Sequence, residues 1–201
     1  MGLRDRPRVQ YHRAAAVELK PIRQAAPNPP LRDAAVLVPV FRDAAGELRL
    51  VLVRRGNFGV HGGQLAFPGG KADPTDASPL HTALREAEEE VSLRPEQVTV
   101  LATLPVLTTF TTGFRVAPFL GRINRPTTWH WQTAEIDEVL EVPVRELTAE
   151  NHATEMRQLP GWPQPAEVSF YRVAGGHQLW GLSYRIVRGL LPRLQAGEWE
   201  I

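Results

Sequence analysis

Residues 78–93 read Ser-Pro-Leu-His-Thr-Ala-Leu-Arg-Glu-Ala-Glu-Glu-Glu-Val-Ser-Leu, and this stretch decides the fold. Ser78 suits a helix N-cap, and the proline that follows it is favoured at the first helical position. Apolar side chains then recur with the spacing of one helical face at Leu80, Ala83, Leu84, Ala87 and Val91. The pattern predicts an α-helix over residues 79–91.

The same helix carries three glutamates on a face apart from the apolar one. Glu86, Glu89 and Glu90 are spaced i, i+3 and i+4, so their side chains lie together. Like charges this close repel each other unless a cation compensates them, and carboxylate oxygens favour Mg²⁺ or Mn²⁺ over zinc. We therefore predict a divalent metal site on this face, with a solvated acidic face as the alternative.

A glycine turn, Gly69-Gly70, lies upstream of this helix and follows the short apolar piece at residues 65–67. Backbone without a side chain can approach a phosphate or offer a carbonyl oxygen to a metal ion, and we assign the second role to Gly70. The Pro-Gly-Gly sequence that begins at Pro68 is expected to stop the preceding strand.

The glycine turn and the helix together resemble the signature of the Nudix hydrolase family, G-x5-E-x7-R-E-U-x-E-E-x-G-U, where U is an aliphatic residue. Residues 85–93 fit its second half, with Ala87 as a small U and Ser92 in the position of a glycine. In the first half, Gly70 is followed after five residues by Asp76 instead of glutamate. Eight residues instead of seven then precede the arginine of the signature.

The resemblance implies a metal-dependent enzyme that hydrolyses a diphosphate bond in a nucleotide-like substrate. It implies a metal site made by Glu86, Glu89, Glu90 and Gly70, and Glu89 is our candidate for the catalytic group that activates water. The alternatives for this base lie on a later loop and strand, at Glu135, Glu138 and Glu141. We interpret Arg85 as an ion-pair partner within the turn and helix and not as a catalytic group.

Residues 50–55 and 63–70 are similar to a second motif, L-L-T-x-R-[SA]-x3-R-x3-G-x3-F-P-G-G, which marks the coenzyme A pyrophosphatase branch of the family. The matching positions include Arg54, Gly63 and the final Phe-Pro-Gly-Gly, and the departures are Val51, Leu52, Arg55 and Gly59. Residues 179–183 also resemble the Ile-Trp-Gly-Leu-Thr that opens the last helix in this branch. The branch implies hydrolysis of coenzyme A or its thioesters to 3′,5′-ADP and a 4′-phosphopantetheine product.

Our candidates for substrate binding are Arg54, Arg55, Gly63 and Phe67. The two arginines end a predicted strand that faces the glycine-rich loop, where they can contact a phosphate, including the 3′-phosphate of coenzyme A. ADP-ribose or another nucleoside diphosphate derivative is the alternative substrate, and a Nudix-fold binding module without catalysis is a further alternative. We interpret Trp129-His130-Trp131 as an edge-packing cluster in preference to a base-stacking platform.

The elements around the signature predict the fold class. Apolar runs at residues 34–41 and 48–54 flank the turn-forming Asp43-Ala44-Ala45-Gly46 and indicate a hairpin. Further strands are predicted at residues 98–104, 114–120, 139–144 and 167–173. A second helix is predicted over residues 179–191, with Pro192 ending or kinking it. Strands around an embedded helix indicate an α/β fold with a mixed sheet, and the resemblance implies the Nudix-type α/β/α sandwich.

Length and charge bound the remaining possibilities. A chain of 201 residues with 43% hydrophobic content is expected to form one packed domain, which we place at residues 34–201 behind a proline-containing arm or linker at residues 1–33. The 23 basic and 22 acidic side chains nearly cancel, so we expect neither nucleic acid nor a membrane as partner. The resemblance implies a small-molecule, nucleotide-like substrate as the partner.

The sequence has no cysteine, which excludes disulfides and thiolate catalysis. It also has no apolar run of signal-peptide or membrane-span length, and we therefore expect a cytoplasmic protein. The oligomeric state is left open by the sequence, with a homodimer as one option.

Overall fold

The structure, a computed structural model, describes residues 30–56, 62–109, 112–159 and 162–201. The strands in chain order are β1 (Arg32–Arg42), β2 (Leu48–Arg55), β3 (Leu65–Ala66), β4 (Gly69–Lys71), β5 (Val98–Thr103), β6 (Leu107–Thr108), β7 (Phe114–Ile123), β8 (Ile136–Pro143), β9 (His152–Arg157), β10 (Ala166–Val173) and β11 (His177–Trp180). The α-helices in these ranges are α1 (Pro79–Val91) and α2 (Gly181–Gln195). Neither of them is long and apolar enough to cross a membrane.

The first two strands form the predicted hairpin. Asp43 closes its turn, because its Oδ1 accepts hydrogen bonds of 2.9 Å from the backbone N–H groups of both Ala45 and Glu47. Beyond the turn, Phe41 pairs with Arg49 in antiparallel register. The side-chain hydrogen bonds in the turn thus help to set which residues of the two strands face each other.

The main sheet has eight strands and is mixed. Strand β1 is its centre: it pairs in parallel with β7 over the registers from Arg32↔Phe114 to Val40↔Arg122, whereas the other strand pairs are antiparallel. The first half of β1 pairs with β4 and its last residues pair with β2. Strands β9, β10 and β11 form a separate antiparallel sheet.

Two apolar cores cover the two faces of the main sheet. Helix α1 packs Ala83, Ala87 and Val91 against one face. Helix α2 and the small sheet pack against the other face, where Leu50 and Leu52 of β2 meet residues such as Leu190. Val51 and Val53, which alternate with these leucines along β2, enter the core beneath α1, as the alternation of side chains along a strand requires. The predicted α/β/α sandwich with a mixed sheet is confirmed.

Helix α1 spans the predicted residues 79–91. The Ser78 side chain accepts a hydrogen bond from the backbone N–H of His81, so the predicted N-cap is confirmed. The helix ends at Ser92, which has a φ of 54° in the left-handed region. Glycine is favoured at such a position, which explains in physical terms why the signature has glycine where this chain has serine.

The prediction that Pro-Gly-Gly stops the preceding strand is confirmed, because β3 ends at Ala66. The chain then enters a further strand that was not predicted. Residues 69–71 form β4 and pair with residues 34–36 of β1. The backbones approach closely there, because a Cβ at Gly69 would lie 2.4 Å from the Ala35 carbonyl oxygen. Glycine permits this approach. The pairing places Gly70, the first residue of the signature, next to α1.

The ends of the chain differ from the prediction in three places. Strand β1 begins at Arg32, within the predicted arm, of which residues 1–29 lie outside the described residues. Residues 179 and 180 end β11, and α2 begins at Gly181. That helix continues through Pro192 to Gln195, because Leu194 is packed in the core and anchors the last turn. Strand β9 was not predicted.

Candidate active site

A cavity of about 620 Å³ opens where the end of β2, strand β4 and helix α1 meet the segment before β8. It brings together five of the predicted site residues, which are Arg55, Gly70, Glu86, Glu89 and Glu90. The other residues that line it are Gly69, Lys71, Gln132 and Glu135. Four carboxylates thus face two cationic side chains, and the cavity has an excess of negative charge.

Glu86 lies against the backbone of Gly70. A side chain at Gly70 would place its Cβ 2.5 Å from the Glu86 carboxylate, so only glycine leaves room for that group. On its other side, Glu86 Oε1 is 2.9 Å from Arg85 Nη1. Burial raises the pKa of Glu86, and Arg85 offsets part of the rise. A carboxylate in this position would be stabilised in its charged form by a further cation.

Glu90 is almost fully buried, with 2% of its surface exposed. Its Oε2 accepts a hydrogen bond of 3.0 Å from the backbone N–H of Gly69. Arg55 Nη1 lies 3.9 Å from the other oxygen, Oε1. Burial nevertheless raises the pKa of Glu90 to about 7. Near neutral pH, a cation bound beside this group would hold it ionised.

Asp76 fixes Arg85 at the base of the turn. The Nε and Nη2 atoms of Arg85 donate to the two carboxylate oxygens of Asp76, each at 3.0 Å. Asp76 also accepts hydrogen bonds from Thr82 Oγ1 and from the backbone N–H of Asp73. The bonds from Arg85, above all, hold the pKa of Asp76 well below its usual range. The interpretation of Arg85 as an ion-pair partner within the turn and helix is confirmed.

We expect Asp76→Asn to lower the free energy of unfolding by about 1–3 kcal/mol at pH 7, because it removes the charge that binds a partly buried guanidinium. The pKa of Asp76 is lowered in the folded state, so this stabilisation is present above the unfolded-state pKa of about 3.9 and is lost as the pH falls below it. Denaturant unfolding of parent and variant at pH 7 and pH 3 measures both effects. Equal stability at pH 7 would contradict the expectation.

Of the candidates for the catalytic base, Glu89 and Glu135 line the cavity. Glu89 has 56% of its side chain exposed, and its Oε2 accepts a hydrogen bond of 3.1 Å from Arg85 Nη1. Glu135 lines the same cavity from the opposite segment. Glu138 and Glu141, which the sequence also offers as candidates for the base, are instead hydrogen-bonded to side chains elsewhere.

The neighbouring residues Arg54 and Arg55 have different surroundings, because successive side chains of a strand point to opposite faces. Arg55 lines the cavity. Arg54 does not; its Nη1 donates to Asp137 Oδ2 at 2.7 Å and its Nε donates to Glu138 Oε2 at 3.2 Å. The structure therefore separates two residues that the sequence motif had grouped.

Gly63 and Phe67 also lie away from the cavity surface. Gly63 is an exposed turn residue with a φ of 72°, and its backbone N–H donates to the Arg55 carbonyl oxygen at 2.9 Å. Phe67 is 2% exposed and belongs to the core on the α2 side of the sheet. In the structure these two motif residues shape the loop and the core.

Sequence reasoning missed two lining residues, Lys71 and Gln132. Lys71 follows Gly70 directly, so its place at the end of the glycine turn was a usable signal. Gln132 reaches the cavity because its backbone N–H donates to the Glu90 carbonyl oxygen at 3.0 Å. That contact joins segments far apart in sequence, and no local pattern indicates it.

The donor set fits a hard divalent cation. It offers carboxylate oxygens with raised pKa values, and glycine at position 70 keeps the backbone open beside them. Among the described residues, no three His, Asp or Glu side chains already converge as metal ligands. Arg85 and the Gly69 N–H occupy oxygens of the glutamates instead. Cation binding therefore requires these side chains to reorient.

A sequence model of the NUDIX domain matches residues 31–162, which is more than half of the chain. The chain belongs to the Nudix family. The match includes β1, the glycine turn, α1 and the segment that contains Gln132 and Glu135, so every lining residue of the cavity falls within the Nudix domain.

Curated Nudix relatives agree with this assignment. The chain is 44% identical to the uncharacterized Nudix hydrolase NudL of Pectobacterium atrosepticum over 131 residues, which cover 65% of this chain and 64% of that protein. It is 38% identical to the uncharacterized NudL of Cronobacter sakazakii over 169 residues, which cover 83% of this chain and 84% of that protein.

Solved structures agree on the fold. The Nudix hydrolase RenU of M. smegmatis superposes with a TM-score of 0.58 at 17% identity, covering 85% of this chain and 89% of that chain. A MutT/nudix family protein of Enterococcus faecalis also gives 0.58, at 16% identity, covering 89% of this chain and 68% of that chain. At these identities the likeness concerns the Nudix fold alone.

Proposed function

We propose that this Nudix protein is a metal-dependent hydrolase that cleaves the diphosphate bond of coenzyme A or its thioesters, giving 3′,5′-ADP and a 4′-phosphopantetheine product. The observation that carries the hydrolase part is the cavity in which Glu86, Glu89 and Glu90 meet beside Gly70. The choice of coenzyme A rests on the resemblance of residues 50–70 to the motif of that branch.

Glu86, Glu89, Glu90 and the carbonyl oxygen of Gly70 are the proposed ligands for Mg²⁺ or Mn²⁺. When bound, such an ion neutralises charge on the diphosphate and on the leaving group. The cavity needs this contribution, because its carboxylates outnumber its cationic side chains and would repel an anionic substrate.

Glu89 is the proposed general base. Arg85 Nη1 donates to its Oε2, and this bond would be given up when the side chain reorients to share the cation. The carboxylate oxygen that does not bind the cation can then take the proton from the attacking water. Arg85 is itself fixed by Asp76, so the turn before the helix sets the position from which this carboxylate reorients. Glu135 is the second candidate, because it also lines the cavity.

Arg55 is the proposed contact for a substrate phosphate. Its Nη1 is 3.9 Å from Glu90 Oε1, which is longer than a hydrogen bond, so its N–H groups have donor capacity for a ligand in the cavity. A guanidinium can donate two parallel hydrogen bonds to one phosphate. For Arg54 to bind substrate as well, it would have to break its hydrogen bonds to Asp137 and Glu138. We propose that Gly63 and Phe67 contribute to substrate binding through the shape of the loop and not through direct contact.

Hydrolysis of ADP-ribose or another nucleoside diphosphate derivative is the second candidate function. Two of the departures from the branch motif change the charge near the substrate: Arg55 stands where the motif has serine or alanine, and Gly59 stands where it has arginine. Gly59 lies outside the described residues. The same cavity would serve these substrates. A non-catalytic binding module is the weakest candidate, because the glutamates that would hold the metal are all retained.

Product analysis tests the proposal. The protein is incubated with coenzyme A, ADP-ribose and NADH, each with Mg²⁺ and with Mn²⁺. We expect coenzyme A to be cleaved fastest, and chelation to abolish turnover. Faster cleavage of ADP-ribose would contradict the coenzyme A assignment and retain the hydrolase. If no compound were cleaved with either metal, the hydrolase assignment itself would be wrong.

We further propose that the enzyme works on small molecules in the cytoplasm, without nucleic acid or a membrane as partner. The formal net charge of +1 supports this, because it provides no broad cationic field. A homodimer is the option to be tested by light scattering.

A further inference from the structure

A second cavity, of about 630 Å³, lies beside the N-terminal end of α1. Its volume is that of a small-molecule site, since such sites commonly measure about 300–1,000 Å³. The apolar part of its lining consists of Ala34, Ala72, Ala77, Pro79, Val106 and Ala117. Val106 is 53% exposed, so a ligand in this cavity would cover an apolar side chain that now contacts water.

The two acids that line the second cavity are each paired with an arginine. Arg115 Nε donates to Asp33 Oδ1 at 2.8 Å, and its Nη2 donates to Asp33 Oδ2 at 3.1 Å. Asp76 accepts two hydrogen bonds from Arg85. Because these charges are compensated and much of the lining is apolar, the cavity suits an uncharged, partly apolar ligand better than a phosphate.

The second cavity and the active-site cavity share a wall. The guanidinium of Arg85 donates to Asp76, which lines the second cavity, and at 3.1 Å to Glu89 Oε2, which lines the active-site cavity. Arg85 Nη2 also donates to the Lys71 carbonyl oxygen at 3.2 Å. Lys71 lines the active-site cavity, and the next residue, Ala72, lines the second one. One guanidinium and two consecutive residues thus separate the two cavities.

We infer that the second cavity binds the pantetheine arm of the substrate, an inference that rests on the proposed action on coenzyme A. This arm is uncharged, and it combines methyl and methylene groups with two amides and a hydroxyl group. It leaves the diphosphate on the side opposite to the adenosine. Arg55, the proposed phosphate contact, lies beside Glu90 near the end of α1, whereas the second cavity lies at the start of that helix. A diphosphate between them would direct its two substituents to different ends of α1.

The arm is long enough to reach the second cavity from the diphosphate. Its main chain has the length of about four amino-acid residues, which corresponds to roughly 13 Å when extended. The carboxylates of Asp76 and Glu89, one from each cavity, both lie within 3.1 Å of the same guanidinium. The wall between the cavities is therefore thinner than the arm is long.

Calorimetric binding to the full chain with Mg²⁺ compares 4′-phosphopantetheine with glycerol 3-phosphate. Both are phosphate monoesters, and only the first carries the arm. We expect the parent protein to prefer 4′-phosphopantetheine by roughly tenfold or more, because each buried CH₂ group contributes about fourfold. Ala72→Leu and Ala77→Leu narrow the second cavity and should each remove most of this preference. Ala45→Leu, at an exposed alanine of the β1–β2 turn, is the matched control and should keep it.

Kinetics supply the second measurement. Ala77→Leu should raise KM for coenzyme A by a similar factor and leave kcat nearly unchanged, because Ala77 does not line the active-site cavity. Thermal unfolding checks that each leucine variant is folded.

Equal affinity of the parent protein for the two monoesters, or a preference that survives in both leucine variants, would overturn the inference. A preference that survives while light scattering shows that the variants dissociate an oligomer would assign the second cavity to a subunit interface instead. If no diphosphate is cleaved but the preference still depends on Ala72 and Ala77, the proposed hydrolase fails and the site for the arm stands. If coenzyme A is cleaved and both variants behave as the parent, the hydrolase stands and the site for the arm fails.

Discussion

Replacing Glu86 or Glu90 by glutamine is expected to lower turnover by roughly 10²-fold or more while the protein stays folded. Both side chains line the cavity, and both have raised pKa values because burial disfavours their charged forms. A divalent ion beside them would compensate that cost, and glutamine keeps the shape but removes the charge that attracts the ion.

Glu88→Gln is the matched control for these variants. Glu88 lies on the same helix, is exposed and does not line the cavity. The variants are compared by steady-state rates over a Mg²⁺ titration and by calorimetric binding of Mn²⁺. Near-parent rates of both Glu86→Gln and Glu90→Gln at limiting Mg²⁺ would show that these residues do not hold the metal.

Thermal unfolding separates a loss of chemistry from a loss of fold. The pKa of Glu90 is raised to about 7 in the folded state, so the folded protein binds its proton more tightly than the unfolded chain does. The free energy of unfolding of the parent should therefore fall as the pH rises from about 4.3 towards 7, and it should remain at the lower value at higher pH. Glu90→Gln lacks this loss, and its amide oxygen can still accept the Gly69 N–H. The inactive variant should be at least as stable as the parent at pH 8.

The parts of the site that were predictable are those encoded by local spacing. The bounds of α1, the cap at Ser78 and the shared face of the glutamates each follow from a few consecutive residues. The ion pair between Arg85 and Asp76 was anticipated only in part, because the longer loop before the arginine hid the role of Asp76. The structure shows that the loop brings this aspartate under the guanidinium.

The parts that were not predictable depend on contacts between distant segments. Gln132 enters the cavity through a backbone hydrogen bond to the Glu90 carbonyl oxygen of α1, which no local pattern indicates. The coenzyme A pyrophosphatase motif also placed in one group residues that lie on opposite faces of a strand. Arg54 and Arg55 alternate across β2, and Phe67 belongs to the core although it belongs to the same motif. A linear motif does not distinguish residues kept for the fold from residues that face the cavity.

Gly70→Ala is expected to lower turnover by roughly 10²-fold with little change in stability, because a misplacement of about 1 Å in a reacting group can cost that much. The new Cβ would lie 2.5 Å from the Glu86 carboxylate, which is the far end of a flexible side chain and can move aside at small cost. Once displaced, the carboxylate no longer lies against the backbone carbonyl with which it is proposed to share the metal.

Gly69→Ala and Gly189→Ala make this expectation specific. At Gly69 the added Cβ would meet the Ala35 carbonyl oxygen at 2.4 Å and Val36 Cα at 2.6 Å, and neither backbone atom can yield without opening the pairing of β4 with β1. That variant should lose stability first. At Gly189, in α2, no described atom outside the neighbouring helix backbone lies within 4 Å of the added Cβ, so this variant should keep parent activity and gain about 0.5–1 kcal/mol of stability. If Gly70→Ala retained parent turnover and Mn²⁺ affinity, the packing of Glu86 on Gly70 would have no part in catalysis, and the metal would have to be held by the remaining acids of the cavity.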